Sequence, residues 1–250
     1  MSKQTSDSGK KLGAITLGCA LLLSGLLGTY ANHFHNTFHF DDAHTIENNA
    51  AIRELRNIPQ FFCDATTFSA LPSNQSYRPL VSTLLAIDYR LGSGLEPFWF
   101  HLSVFILFAT LTLSLAFVVY RLLECKVCTP ANLWIALAAA GWYGLHPANA
   151  DTVNYLIASS EVISTLGVVS SFAVYFAFPR LCRYYLFALP AALGILAKPP
   201  AAIFAVLFGI FCLLFDDEPE VKSGKSRIIV WLRKCLATVY RNLPVIEFTI

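Results

Sequence analysis

The segment from Leu12 to Tyr30 contains no charged residue and follows Lys3, Lys10 and Lys11. About 20 predominantly apolar residues are enough to cross the hydrocarbon core of a bilayer as a helix, and basic residues beside a span stay in the cytoplasm. The segment therefore predicts a first membrane helix whose amino end is cytoplasmic. A cleaved signal peptide is the alternative, because residues 29–31 resemble a weak cleavage site, but the run is long for one.

Five further apolar runs extend this prediction to an all-α bundle of about six membrane helices. The chain is 56% hydrophobic and 14% charged, whereas about 25% of a soluble domain is charged. The runs lie at about 98–120, 130–145, 162–178, 184–196 and 200–215. The run at 184–196 is short. In an alternative interpretation, this run and the next form a re-entrant hairpin that is broken at Lys198-Pro199-Pro200. Most of the 18 Lys and Arg residues fall on the predicted cytoplasmic side, which supports this orientation.

The first extracytoplasmic segment, at about 32–97, has a pattern of its own. Apolar residues recur at helical spacing at Ile52, Leu55, Ile58, Phe61 and Phe62. This pattern predicts a helix that lies in the membrane interface. A second interfacial helix is predicted from Tyr77 to about Leu91, because Pro79 suits the first position of a helix.

Two adjacent carboxylates, Asp41 and Asp42, follow the first membrane helix by about ten residues and lie on the extracytoplasmic side. Two like charges beside a membrane need water, a cation or a functional role. Four histidines lie in the same segment, namely His33, His35, His39 and His44. Their spacing matches no compact ligand signature, so we predict no metal site there. A divalent cation bound by the two carboxylates alone stays open.

Five further residues on the same predicted side complete the set of candidate site residues: Arg78, His146, Asp151, Glu161 and Lys198. Each one alone is typical of an interfacial cap or loop. Together they favour a functional interpretation, because charged groups at membrane depth tend to be retained for function.

Other compositional features exclude some classes of partner and site. The basic residues are scattered among apolar runs, so we expect no nucleic-acid partner. Only one of the seven cysteines, Cys63, lies in a predicted extracytoplasmic loop, which leaves no disulfide framework there. Cys125 and Cys128 form a lone CxxC that lacks the second half of a zinc site.

Four short motifs resemble, in their order, the membrane module of the GT-C glycosyltransferase superfamily. They are FDD at 40–42, YRPL at 77–80, FH at 100–101, and HP at 146–147 with an acid four residues after the proline. The closest resemblance is to the transmembrane and tetratricopeptide-repeat O-mannosyltransferase-like proteins and their bacterial relatives. It covers about 12–215. Residues 1–11 are then a cytoplasmic tail, and we expect 216–250 to be a truncated, basic cytoplasmic linker.

The resemblance implies transfer of a sugar from a polyprenyl-phosphate donor to a hydroxyl of a protein or glycan acceptor. It places the reaction on the extracytoplasmic face of a bacterial inner membrane or of the endoplasmic reticulum. On this basis Asp41 is the expected general base, and Asp42 orients the acceptor or holds water or a cation. The donor phosphate is assigned to Arg78, His146 and Lys198, and support of the second extracytoplasmic loop to Asp151 and Glu161.

The chain departs from the family pattern at two positions. Relatives often read VNYISARSE where this chain has Ser159 in place of the arginine, and they often have a Lys-Glu pair where this chain has Lys198-Pro199. The loss of such charges weakens the expected stabilisation of the leaving phosphate. A non-catalytic or truncated membrane scaffold is therefore the main alternative. A transporter fits less well, because its acids would lie inside the bundle.

Overall fold

The computed structural model describes residues 2–215, in which all regular structure is helical. The predicted linker at 216–250 lies outside the described residues. The α-helices are α1 Ser2–Thr29, α2 Ile58–Phe61, α3 Pro79–Leu91, α4 Pro97–Glu124, α5 Ala131–Gly144, α6 Ala150–Asn154, α7 Ser159–Ala177, α8 Pro179–Cys182, α9 Leu189–Ile195 and α10 Ile203–Phe215. A π-helical turn lies at Ala43–Glu47. Short 3-10 turns lie at Ala31–His35, Ala51–Arg53, Leu55–Asn57, Ala65–Phe68, Pro72–Asn74, Pro147–Asn149, Leu156–Ala158, Leu186–Ala188 and Pro199–Ala202.

Within residues 2–215, three helical segments are long and apolar enough to cross a membrane, and they indicate an integral membrane protein. They are Lys11–Thr29, Pro97–Glu124 and Leu156–Ala177. The predicted count of about six spans is not confirmed. Helix α5 has 14 residues, which at 1.5 Å per residue is about 21 Å, less than the hydrocarbon core of about 30 Å.

The last two apolar runs form two short helices with a break between them. Helix α9 has 7 residues and α10 has 13 within the described range. Between them, Lys198 is extended and a 3-10 turn begins at Pro199. Two consecutive prolines lack the N–H donors that a continuous α-helix needs, which explains the break where the sequence indicated it.

Helices α4 and α7 form the centre of the bundle, with α5 packed on α4 and α9 packed on α7. Glycine permits the closest of these approaches. A Cβ atom added to Gly167 of α7 would lie 2.6 Å from the carbonyl oxygen of Pro190 and 3.0 Å from Cα of Gly194. The backbones of α7 and α9 therefore touch, as is common where small residues line helix interfaces in membranes.

The first interfacial helix predicted from the sequence is not continuous. It consists of the turns Ala51–Arg53 and Leu55–Asn57 followed by α2, because Glu54 between the turns adopts an extended conformation, with φ −134° and ψ 124°. Ile52 and Phe61 enter the core, whereas Leu55 is 42% exposed. A helix is present where the second interfacial helix was predicted, as α3 with Pro79 at its first position. Its place in the membrane interface stays a prediction.

Asp88 is a buried carboxylate that joins α3 to α4. The hydroxyl of Ser103 lies 2.8 Å from Asp88 Oδ2 and 2.9 Å from the carbonyl oxygen of Phe100. A serine hydroxyl has one hydrogen, so both contacts are satisfied when a protonated Asp88 donates to Ser103 and Ser103 donates to Phe100. Burial raises the pKa of Asp88 to about 7, against a smaller opposing effect of the Ser103 hydrogen bond.

The contact between α7 and α9 gives a first prediction. We expect Gly167→Ala to lower the thermal unfolding temperature of the detergent-purified protein, because overpacking of this kind costs about 1–3 kcal/mol. Gly209→Ala in α10 is the matched control, since nothing lies within 4 Å of a Cβ atom at that position. Equal unfolding temperatures for Gly167→Ala and the wild type would contradict the close packing.

Asp88 gives a second prediction, about pH. A carboxyl whose pKa is higher in the folded state stabilises the fold fully below its unfolded pKa, near 4, and loses that contribution as the pH rises through about 7. We expect Asp88→Asn, whose amide donates to Ser103 as the protonated acid does, to unfold several degrees above the wild type at pH 8 and close to it only at about pH 3.5, below the unfolded pKa. Parallel pH profiles of the unfolding temperature would contradict this.

Candidate functional site at the amino end of helix α7

Segments that are distant in the sequence meet at the amino end of α7. This helix begins at Ser159, directly after the 3-10 turn Leu156–Ala158, and it carries Glu161 in its first turn. An acidic residue at this position is favourable, because the N–H groups at the start of a helix create a partial positive charge. Four of the predicted site residues reach this point from elsewhere in the chain: from the segment after α1, from the residue before α3 and from the turn before α10 come Asp41, Asp42, Arg78 and Lys198.

Asp42 is the inner member of the aspartate pair, with 1% of the residue exposed. Its Oδ2 accepts a hydrogen bond of 3.0 Å from the backbone N–H of His39. Its Oδ1 is buried and meets no donor in hydrogen-bonding geometry among the described residues. Burial raises the pKa of Asp42 to about 6, while the backbone N–H groups of His39 and Ile157 oppose the shift. The contact with Ile157 places Asp42 beside the start of α7.

Asp41 is the outer member of the pair, and 54% of its side chain is exposed. Its backbone is fixed, because its N–H donates to the Tyr155 hydroxyl at 3.2 Å and its carbonyl oxygen accepts from the Thr45 hydroxyl at 2.8 Å. Its Oδ1 lies 3.3 Å from Nε2 of His44. The preceding residue, Phe40, has φ 50°, which is uncommon for a residue other than glycine. In this turn the first carboxylate reaches solvent and the next is buried.

Tyr155 belongs to the site, although the sequence analysis did not single it out. Its hydroxyl lies beside Asp41, and burial together with this carboxylate raises the pKa of Tyr155 to about 12. The phenol is therefore neutral at physiological pH and able to donate a hydrogen bond to a carboxylate. The match of Val153-Asn154-Tyr155 to the family pattern is the signal in the sequence that points to this residue.

Arg78 reaches the start of α7 from the residue before α3. Its Nη1 donates to the Ser160 hydroxyl at 3.4 Å, and its guanidinium carbon lies 5.1 Å from the centre of the Phe68 ring. The stacking contact supports the planar guanidinium and leaves its other N–H groups able to bind an oxyanion. The YRPL motif thus has a defined place in the site.

Lys198 forms an ion pair with Glu161. The Ser164 hydroxyl also donates to the carbonyl oxygen of Lys198 at 3.2 Å. Lys198 lacks the neighbouring glutamate of the family pattern, because Pro199 follows it, but Glu161 of α7 supplies a carboxylate partner. The ion pair of Glu161 joins α7 to the turn before α10. The predicted support of the second extracytoplasmic loop by Glu161 stays a prediction. Ser159, where relatives often have arginine, is fully buried and contributes no charge.

The side chains of His146 and Asp151 are not brought into this cluster by any contact described for residues 2–215. His146 is exposed, its Nδ1 accepts from the N–H of Ala148 at 3.2 Å, and its ring lies 5.7 Å from that of Trp142. Asp151 is exposed in the first turn of α6, and its carbonyl oxygen accepts from the N–H of Tyr155 at 3.0 Å. The assigned role of His146 stays a prediction. The backbone of Asp151 does contact Tyr155 within the second loop.

A buried polar network lies beneath the site and joins the end of α1 to the second loop. Nε2 of His33 lies 2.8 Å from the carbonyl oxygen of His101, and Nδ1 of His33 lies 3.2 Å from Oδ1 of Asn154. Asn36 donates to the same Oδ1 at 3.1 Å. Burial lowers the pKa of His33, which favours the neutral ring, and a neutral ring donates to only one of these two oxygens. The FH motif and residue 154 therefore hold the loop that carries Tyr155.

The described residues offer few ligands for a metal ion. Within 2–215, no group of three or more His, Cys, Asp and Glu side chains is arranged to hold one. Asp41 and Asp42 differ in exposure and do not form a closed carboxylate cage. A divalent cation at Asp41 would take most of its six or more oxygen ligands from water or from a bound phosphate. Cation binding there stays a prediction.

Comparison with known proteins agrees with the resemblance seen in the motifs. The chain is 25% identical over 235 residues to protein O-mannosyl-transferase TMTC1 of Mus musculus, a match that covers 86% of this chain and 24% of the relative. It is 25% identical over 228 residues to the Homo sapiens protein of the same name, with 85% and 25% covered. No family model and no solved structure matches. The chain spans about a quarter of the length of these relatives, and its distant similarity to them supports a glycosyltransferase-like relationship.

Proposed function

We propose that this chain is the membrane module of a glycosyltransferase. It transfers a sugar from a polyprenyl-phosphate donor to a hydroxyl of a protein or glycan on the extracytoplasmic face. One observation carries the proposal: Asp41, Asp42, Arg78 and Lys198 all meet the short stretch 155–161 at the start of α7. An exposed carboxylate and two cations near one helix start suit a reaction that needs both a base and phosphate ligands.

Asp41 is the general base in this proposal, because its carboxylate is exposed to an incoming acceptor while that of Asp42 is buried. The carboxylate takes the proton of the acceptor hydroxyl as its oxygen attacks the anomeric carbon of the sugar. The bond between that carbon and the phosphate oxygen breaks, and the phosphate leaves with the electron pair. Asp42 positions the turn, and the Tyr155 hydroxyl orients Asp41.

The donor phosphate binds Arg78 and Lys198 in this scheme. The guanidinium of Arg78 holds two oxygens at once, and the start of α7 adds a partial positive charge. Glu161 fixes the ammonium of Lys198 until the phosphate competes for it. We retain His146 as a phosphate ligand, Asp151 as loop support and a hydrated divalent cation at Asp41 as parts of the proposal that await tests.

The rest of the proposed arrangement concerns the membrane. Residues 12–215 form the module, with the tail at 1–11 in the cytoplasm and the site on the opposite side of a bacterial inner membrane or of the endoplasmic reticulum. The orientation is supported by the basic residues that precede the first span.

A non-catalytic membrane scaffold is the second candidate. The buried, uncharged Ser159 favours it, because relatives often carry an arginine there and charge stabilisation of a leaving phosphate is often the largest catalytic contribution. The two candidates differ in one measurable respect. Only the enzyme consumes a lipid-linked donor.

We expect Asp41→Asn to lower transfer at least 100-fold, since a general base contributes about 10²–10⁴-fold. The assay uses the purified protein in lipid vesicles with radiolabelled polyprenyl-phosphate mannose and candidate acceptor peptides. Glu47→Gln, at an exposed acid of the same segment, is the control and retains activity. Unchanged transfer by Asp41→Asn would refute the assignment of the base. Failure of the wild type with every donor would support the scaffold.

The ion pair of Lys198 separates a binding role from a structural one. We expect Lys198→Gln and Glu161→Gln each to lower the unfolding temperature by a few degrees, because each leaves a half-buried charge unpaired. The double variant regains most of that stability. If Lys198 also binds the phosphate, the KM for the donor rises about tenfold in Lys198→Gln and in the double variant, but not in Glu161→Gln. If the KM rises in both single variants and recovers in the double variant, as the unfolding temperature does, Lys198 has a structural role alone.

A further inference from the structure

A crevice opens between α1, α4 and α5 at the end of the bundle opposite to Asp41. Its volume is about 360 Å³, within the range of ligand sites, which is about 300–1,000 Å³. Its walls are apolar and come from all three helices, with Ile15 and Cys19 of α1, Leu113 and Phe117 of α4, and Leu133 and Leu137 of α5. The proposed sugar transfer uses none of these residues.

The crevice ends where the three helices close on one another. Leu137 of α5 packs so tightly on Gly18 that an added Cβ atom would lie 2.3 Å from Leu137 Cδ1. Leu22, Ala116, Leu137 and Ala140 then form a continuous core. From Lys11 to Cys19 the wall rises about 12 Å at 1.5 Å per residue. This depth is most of the thickness of one hydrocarbon leaflet, which is about 15 Å.

The mouth of the crevice carries positive charge. Lys11 and Arg121 line it together with Tyr120, and they lie at the ends of the candidate spans Lys11–Thr29 and Pro97–Glu124. Ends of spans lie at the level of the lipid headgroups. Glu124 lies near Lys11, but its carboxylate is engaged, since it accepts from Asn132 at 2.9 Å and from Cys128 at 3.2 Å.

We propose that this crevice binds one anionic phospholipid. An acyl chain fills the apolar cleft, and the headgroup phosphate contacts Lys11 and Arg121. Apolar depth with a cationic rim matches both parts of such a lipid, and basic pockets between membrane helices bind anionic headgroups. A zwitterionic lipid offers the same chain without the net negative charge. The site does not depend on the proposed sugar transfer.

The test is photocrosslinking of the full chain in phosphatidylcholine vesicles. The vesicles contain a trace of phosphatidylglycerol, or in a parallel sample of phosphatidylcholine, with a diazirine on the acyl chain. Mass spectrometry then maps the labelled peptides. We expect several-fold more labelling by phosphatidylglycerol at the crevice segments of α1, α4 and α5. Arg121→Gln and Lys11→Gln each reduce this preference about fivefold, the effect of one basic residue at an anionic surface.

Two variants distinguish a built site from general surface attraction. Cys19→Phe fills the crevice without changing the charge, and we expect it to remove the phosphatidylglycerol label from the crevice segments. Lys126→Gln removes a cation that instead contacts the Leu214 carbonyl oxygen and the Phe215 ring, and it retains the label. Equal labelling by the two lipids, or labelling that persists in Cys19→Phe, would overturn the proposal. The second result would show that lipid labels these segments from outside the crevice.

Discussion

The amino end of α7 is the point on which the arrangement of the candidate site depends. A helix start presents N–H groups without intrahelical partners and a partial positive charge, so polar groups from other segments gather there. Ile157 faces Asp42, Ser160 binds Arg78, and Glu161 pairs with Lys198. Three segments that lie far apart in the sequence are thereby held within one turn of helix. Displacement of this turn would separate all of them at once.

The rigidity of that turn comes from its surroundings in the bundle. Helix α7 packs on α4 along one side and approaches α9 through glycine on the other. Beneath the loop that precedes α7, the His33 network occupies the space between α1 and α4. Buried polar groups with fixed partners specify one arrangement of the chain. The segment that carries the exposed carboxylate of Asp41 is therefore packed on residues with fixed partners.

The sequence predicted those parts of the fold that depend on local patterns. Uncharged runs located the three spans, and Pro79 located the start of α3. The continuous interfacial helix expected around Ile52 is not present. Residue spacing alone does not reveal that Glu54 takes an extended conformation and divides the helix. The apolar pattern also did not predict helix length. The apolar run that contains α5, for example, is longer than the helix itself.

The candidate site was predictable in composition but not in pairing. Charge type and side of the membrane brought Asp41, Arg78 and Lys198 together, and the structure joins each of them to the same stretch. The partner of Lys198 is 37 residues distant, and no short motif records a contact of that range. The role of Tyr155 was hidden for the same reason. Its hydroxyl belongs to the site only because the segment after α1 brings the backbone N–H of Asp41 against it.

The opposite environments of Asp41 and Asp42 follow from one turn, in which Phe40 has a positive φ. A substitution therefore has different consequences at these two neighbouring aspartates. On the proposed chemistry, change at position 41 removes the base and leaves the architecture intact, whereas change at 42 disturbs the loop from within. A relative that keeps the second aspartate and has lost the first would then have lost the reaction but kept the fold.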